Sequence, residues 1–412
     1  MGAGDASPPL PWPSPGVEAS HGESVPAPPG DSAALAEALR ELRRVEGAGG
    51  WGEVAPGPAL RPGEEDPRIP TLRERLRRSG DLPVRRVEAA PGSALFDAPL
   101  EEGVRRFQAR HGLEVDGVVG AATMAELNVP VEDRIRQVAL NLDRRRELGR
   151  LEGPLDVVVN VPGFVAWVHQ RDGSTREHRV ITGRVDRPTP LLVGRIGHVV
   201  LAPYWNVPPN ILSRDKLPLL RRDPAYLERQ HMTVLARGTG ARVDPASIRW
   251  DTVNAGAFNR DYWLRQEPGS WNALGEVKFI FPNPHHVYMH DTPDRHLFQR
   301  PARAFSSGCI RVEGAMELAL LLLAGSPEWT PERIRQVARG GSERWIALRE
   351  SVPVRTVYWT AWVDRSGELQ LRRDLYGLDA GRTPRGAEEA LSECRLPADP
   401  PVGAFSTTTT PS

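Results

Sequence analysis

The sequence predicts an α+β chain of several domains: a small three-helix module in the N-terminal third, then a mainly β domain interrupted by a helical insertion. Three observations carry this. Between residues 69 and 128 apolar positions recur at helical spacing, as in VRRFQARHGLEVDGVVGAATMAELN. From residue 156 onward, short apolar runs alternate with turn signals such as Asp172-Gly173. Between about 211 and 265 that pattern breaks, and helical runs replace it.

Taken in order, residues 1–33 are rich in Pro, Gly, Ser and Ala and read as a disordered segment. Residues 34–45 fit one amphipathic helix, opening a unit over 34–68 that ends in a Gly/Pro-rich connector with Gly49-Gly50-Trp51. The helical module covers 69–130, with helices over 69–78 and 100–111 and a third ending at Leu127-Asn128. Val104, Phe107 and Leu113 read as its core, and His111 as a partly exposed helix C-cap. Residues 131–150 form a charged linking helix.

The β domain covers 151–380. Its expected strands lie at 156–161, 164–170, 176–182, 197–202, 277–281 and 287–290, with closing strands at 354–363 and 368–372 around Asp364–Gly367. The insertion at about 211–265 reads as helical and irregular, placed between strands. Residues 381–412 form a polar tail expected to be disordered.

At 412 residues the chain can hold two or three domains and one sizeable core. Formal net charge is zero and no basic stripe stands out, which argues against a nucleic-acid partner. Of the 53 basic residues only Lys216 and Lys278 are lysine, a bias from which no function follows. The longest apolar helix-like run, 318–324, is too short to span a bilayer, and no membrane association is visible. No Lys or Arg precedes Arg40 and no signal-type apolar run follows the first Met. The two cysteines, Cys309 and Cys394, stand in different contexts and are expected to be reduced.

Chemistry concentrates in VYMHDTPDRHLFQRPARAFSSGCIRV, residues 287–312. Its first four residues have period two, so Val287 and Met289 share one face while Tyr288 and His290 share the other. Nineteen residues after His290 comes Cys309, in a Ser306-Ser307-Gly308-Cys309 turn ahead of a helix near Gly314. A cysteine and a histidine in one small region are the minimum for thiolate catalysis. The small residues of the turn allow a carbonyl close to the backbone, and the N–H groups of Gly308 and Cys309 are candidates for an oxyanion hole. The bland alternative is a buried, unreactive cysteine.

The pattern HDTP followed by RAFSSGCIRVE resembles the active-site signature of the L,D-transpeptidases, bacterial enzymes that cross-link peptidoglycan through a cysteine. Arg187-Pro188-Thr189-Pro190, Tyr204-Trp205-Asn206-Val207-Pro208, NALG at 272–275 and KFIFPN at 278–283 resemble further family segments, so the resemblance covers about 36–380. Residues 69–128 resemble a peptidoglycan-binding module. The resemblance implies Cys309 as nucleophile, His290 as base and no cofactor or metal. It also implies peptidoglycan stem peptides as substrates, sensitivity to carbapenem-type β-lactams, a periplasmic location reached by export, and an insertion that caps the site. Tyr288, Trp205, Arg311, Ser306 and Ser307 are the candidate substrate-binding residues; burial statistics make Trp205 as good a core residue as a stacking platform.

Three other readings compete. An L,D-carboxypeptidase would let water resolve the thioester. A non-catalytic wall-binding protein would keep the fold as scaffold, against the intact Cys309, His290 and Arg311. A metallohydrolase could draw on His285, His286, His290, His296 and Cys309, yet no paired metal-ligand spacing is present. What orients His290 stays open between Asp291 and a backbone carbonyl.

Overall fold

A computed structural model describes residues 31–82, 92–148 and 155–384. The expected disorder of residues 1–30 and of the tail beyond 384, and the state of Cys394, lie outside these residues. Helix α1 spans Asp31–Gly47, three residues longer at its start than its apolar stripe indicates. Helices α2 (Ile69–Arg78), α3 (Ala98–Arg110) and α4 (Ala121–Leu127) form the predicted module. The Asp97 side chain caps α3 by accepting from the Leu100 N–H, and Pro99 occupies its first turn. Leu72, Leu76, Leu100, Val104, Phe107 and Leu127 close the module's core. The turn after α3 is built by buried Gln108. Its Oε1 accepts from the Gly117 N–H, and its Nε2 donates to Asp116 and to the Val118 carbonyl.

His111 does sit at the α3 C-cap, but it is buried rather than partly exposed. Its ring stacks on Phe107 at 3.8 Å, and its Nδ1 lies 2.7 Å from the Phe107 carbonyl. Helix α5 (Val131–Leu148) follows as expected. It packs with α1 against residues from the far end of the chain, Ala361 and Leu371.

The β domain opens with β1 (Leu155–Asn160), β2 (Val165–Gln170), β3 (Thr175–Gly183) and β4 (Val193–Leu201). The chain then passes through β5 (Trp205–Asn206) into the insertion, with α6 (Pro209–Ile211), a π-turn at Leu212–Lys216, α7 (Leu217–Arg222) and α8 (Tyr226–Arg229). It continues through β6 (Met232–Ala236), β7 (Arg242–Val243), α9 (Ala255–Asp261) and β8 (Tyr262–Gln266). The insertion is thus more regular than predicted. Strands β6, β7 and β8 join β5, just ahead of residue 211, in a four-stranded sheet of order β5-β8-β6-β7, and the insertion has its own core around Leu220, Val234, Phe258 and Leu264.

The chain returns to the main sheet with β9 (Val277–Ile280), β10 (Met289–His290), β11 (Ala304–Ser306) and β12 (Ile310–Val312). Helices α10 (Ala315–Leu322) and α11 (Pro331–Arg339) lead to β13 (Arg344–Val357) and the hairpin β14 (Ala361–Val363) and β15 (Leu369–Leu371). The predicted closing strand over 354–363 is really two. The chain leaves β13 at Val357, and β14 pairs only with β15.

The nine-stranded sheet runs β11-β3-β12-β10-β9-β4-β13-β1-β2, and β2 also pairs with β3. That extra pairing closes the sheet into a barrel, with β11 alone outside the ring. Alternate residues fill the interior: Val157, Val159, Val180, Val199, Phe279, Met289, Ile310 and Val354, covered by α10 and α11. Burying a side chain such as Phe279 contributes about 1.5–3 kcal/mol. No helix among the described residues is long and apolar enough to cross a membrane.

Candidate active site

The period-two reading of residues 287–290 is met. Val287 and Met289 belong to the barrel core, while Tyr288 and His290 line a cleft of about 710 Å³ between the barrel and the insertion. Their rings lie 5.6 Å apart. Strand β10 pairs in parallel with β12, so His290 stands opposite Arg311, and Cys309 immediately precedes the strand. The Ile310 N–H donates to the Tyr288 carbonyl at 3.1 Å, fixing the cysteine turn beside β10. Cys309 lines the cleft and packs against the insertion's core. Because β12 separates it from α10, it gains nothing direct from that helix's dipole.

The turn is held from below. Gly308 has φ 112°, a conformation that favours glycine. The Thr189 hydroxyl donates to the Gly308 carbonyl at 2.9 Å and accepts from the Gly183 N–H at 2.8 Å. Ser306 is buried; its hydroxyl accepts from the Gly308 N–H at 3.1 Å and donates to the Cys309 carbonyl. Ser306 therefore ties the turn together at the edge of the cleft it lines. The Gly308 N–H, expected in an oxyanion hole, is spent on that hydroxyl. The Cys309 N–H makes no hydrogen bond within the described residues and remains the donor at hand.

The Ser307 hydroxyl accepts from Arg187 Nη1 at 2.9 Å. The same guanidinium forks onto both carboxylate oxygens of Asp215, in the π-turn of the insertion, at 2.6 and 2.9 Å. Arg187 therefore links the cysteine turn to the insertion. Arg311 lines the cleft and donates to Asp294 at 3.0 Å. Trp205 also lines it but is only 7% exposed, seated in the insertion's core.

His290 is oriented by a carbonyl. Its Nδ1 lies 2.5 Å from the Asp291 main-chain oxygen. The Asp291 carboxylate is engaged elsewhere, accepting from the Glu276 N–H at 3.0 Å and from Arg295 at 3.4 Å. Burial, then the Arg311 charge, push the imidazole down to about 3, although the Asp291 carbonyl opposes this. Burial pushes the Cys309 thiol up; contacts with Tyr288 and the charges of Lys278 and Arg311 oppose it. Lys278 faces His290 across β9 and β10, with its ammonium 4.0 Å from the Tyr288 ring centroid.

Sequence reasoning missed Arg187, Asp215 and Lys278 as site residues, along with Trp271 and Phe305 on the cleft wall. Arg187 was readable as part of RPTP, and Lys278 as the pleat partner of the His290 face; neither could be paired without the fold. His285, His286 and His296 are exposed, and only the first two line the cleft. Among the described residues no three His, Cys, Asp or Glu side chains are grouped to hold a metal ion.

A barrel that sets a histidine on β10 and a cysteine just before the neighbouring parallel strand β12, in a cleft shared with an inserted subdomain, brings a thiol and an imidazole to one site. Residues 154–330 match the family model of the L,D-transpeptidase catalytic domain, and residues 65–127 match that of a "Putative peptidoglycan binding domain". A curated relative, "Putative L,D-transpeptidase" from Haemophilus influenzae, is 35% identical over 245 residues, which is 59% of this chain and 48% of the relative. The chain spans about half the length of that relative. The structure of an L,D-transpeptidase from Stackebrandtia nassauensis aligns at 12% identity over 74% of this chain and 96% of its own, with TM-score 0.26. That of an L,D-transpeptidase from Mycobacterium smegmatis aligns at 12% identity over 50% and 58%, with TM-score 0.22. Residues 154–330 are thus similar to the L,D-transpeptidase catalytic domain, and a stretch similar to a peptidoglycan-binding domain precedes them.

Proposed function

We propose that this protein forms peptidoglycan cross-links by acyl transfer through Cys309. The observation that carries the reading is the juxtaposition of Cys309 and carbonyl-anchored His290 in one cleft under the insertion. The Cys309 sulfur attacks the carbonyl of a tetrapeptide stem donor while its proton passes to His290 Nε2. The tetrahedral oxyanion takes the Cys309 N–H as a donor. The C–N bond then breaks, and His290 returns the proton to the departing amine, leaving a thioester. An acceptor amine attacks the thioester, gives its proton to His290 and expels the sulfur, which is reprotonated. Tyr288, Trp205 and Arg311 form the walls that hold the donor.

The insertion acts as a cap that limits water, and the helical module holds the enzyme on the wall polymer. The natural setting is the periplasm. Water in place of the acceptor amine would make the same site an L,D-carboxypeptidase. Incubation with tetrapeptide muropeptides, followed by mass spectrometry of the products, tests the reading. Cross-linked dimers support transfer; tripeptide alone, with no dimer at any acceptor concentration, assigns the carboxypeptidase.

A further inference from the structure

Far from the cysteine, a second cavity of about 350 Å³ lies between α1, the helical module and the β14–β15 hairpin. Six arginines line it, Arg75, Arg77, Arg78, Arg106, Arg110 and Arg134, against three carboxylates, Glu41, Asp81 and Glu368. Four are paired: Arg77 and Arg78 with Glu74, Arg110 with Asp81 at 2.5 Å and Arg134 with Glu126 at 2.5 Å. Arg75 is not. It is 1% exposed, its Nε donates to the Leu127 carbonyl at 2.7 Å, and its guanidinium lies 3.8 Å from the Trp51 ring centroid. No carboxylate among the described residues is within ion-pair distance of it, and its Nη1 has no hydrogen-bond partner. Arg106 likewise makes no hydrogen bond or ion pair among the described residues.

A buried guanidinium without a counter-charge is costly, and a matching anion relieves that cost. Burial pushes Arg75 down to about 9, with Arg110 and Arg134 adding to it against Asp81. The same positive field and burial hold the neighbouring His111 neutral. Leu42, Leu369 and Leu371 supply an apolar wall opposite. The volume is at the small end for ligand pockets, enough for one short group and too small for a polymer.

We propose that this cavity binds a carboxylate carried on a short aliphatic or peptide chain, held by the unpaired guanidiniums of Arg75 and Arg106. Guanidinium suits the planar carboxylate through paired N–H donors, and the leucine wall takes the attached carbons. A site formed by both halves of the chain would make module docking sensitive to the ligand. The inference does not rest on acyl transfer at Cys309.

The test is calorimetric titration of the full chain with N-acetylalanine, and separately with inorganic phosphate, at constant ionic strength. The expected result is saturable binding of N-acetylalanine at one site, unchanged in Cys309→Ala, about tenfold weaker in Arg106→Gln and lost in Arg75→Met. Should Arg75→Met fail to fold by circular dichroism, Arg106→Gln decides. Absence of saturable binding, or equal binding in wild type and Arg106→Gln, overturns the proposal. Binding of phosphate without N-acetylalanine overturns the carboxylate assignment.

Discussion

The Nδ1 atom of His290 and the main-chain oxygen of Asp291 lie 2.5 Å apart. A carbonyl oxygen can only accept, so the neutral ring carries its proton on Nδ1 and keeps Nε2 as the base. Burial pushes the imidazole down to about 3 and the thiol up, and both shifts favour a neutral pair over a thiolate–imidazolium ion pair.

Alkylation of Cys309 by iodoacetamide should therefore rise with pH along one limb whose midpoint lies above that of an ordinary thiol. A reactive plateau at pH 5–6 would show an ion pair and contradict the neutral assignment. His290→Ala should lower turnover by about 10²-fold or more. His286→Ala, at an exposed position, should cost far less. The reverse order would mean that the base is misassigned.

Lys278, itself pushed down by burial, stands beside Tyr288, and its charge counters the upward push that burial gives the Cys309 thiol. Lys278→Met should raise the midpoint of the alkylation profile by about one unit, or about tenfold less thiolate at a given pH. An unmoved midpoint would assign Lys278 to packing alone.

Arg187 bridges Ser307 to Asp215, so it couples the cysteine turn to the insertion. Arg187→Met should destabilise the fold by about 1–2 kcal/mol, the lower end for a charged hydrogen bond because Asp215 is partly exposed. It should also slow acylation more than Asp215→Asn does, since it frees both ends. Chemical denaturation and a double-mutant cycle check this; strictly additive effects would deny the link.

Two buried histidines and the half-buried His169 set the acid response. His290 is held down to about 3, His169 to about 4, and His111 is also lowered, each chiefly by burial. Their folded values lie below the unfolded one. Between pH 6.5 and about 4 the unfolded chain thus binds protons that the native chain refuses. Stability is complete above pH 6.5 and falls as pH drops through that window. Thermal melting across pH 7 to 4 should show a steady fall in Tm, beginning before carboxylates titrate. A flat Tm down to pH 4.5 would contradict it.

Much of the site was legible because period two and the Cys-turn string are local. Val287/Met289 and Tyr288/His290 sort onto two faces by pleat alone, and α2 and α3 follow from apolar spacing. The remainder depended on long-range pairing. That the Ser306 hydroxyl locks Gly308 from within the cleft wall could not be read from the string. The early part of β13 was missed since Arg344, Arg349 and Glu350 dilute its apolar signal, and its partners β4 and β1 are distant in sequence. The insertion's sheet was missed because β5 and β7 are two residues long each. His111 read as partly exposed because a polar ring after a helix usually is; its stacking on Phe107 cannot be seen in a string.

The central claim is a covalent acyl-enzyme on Cys309, and intact-protein mass spectrometry after incubation with a carbapenem tests it most directly. A strained lactam carbonyl offers the electrophile that the donor peptide would offer, so opening of the ring on sulfur reports both nucleophile and oxyanion site. The account predicts a single adduct in wild type, mapped to Cys309, slowed in His290→Ala and absent in Cys309→Ala. An adduct that persists in Cys309→Ala, or one carried by Cys394 alone, would contradict it.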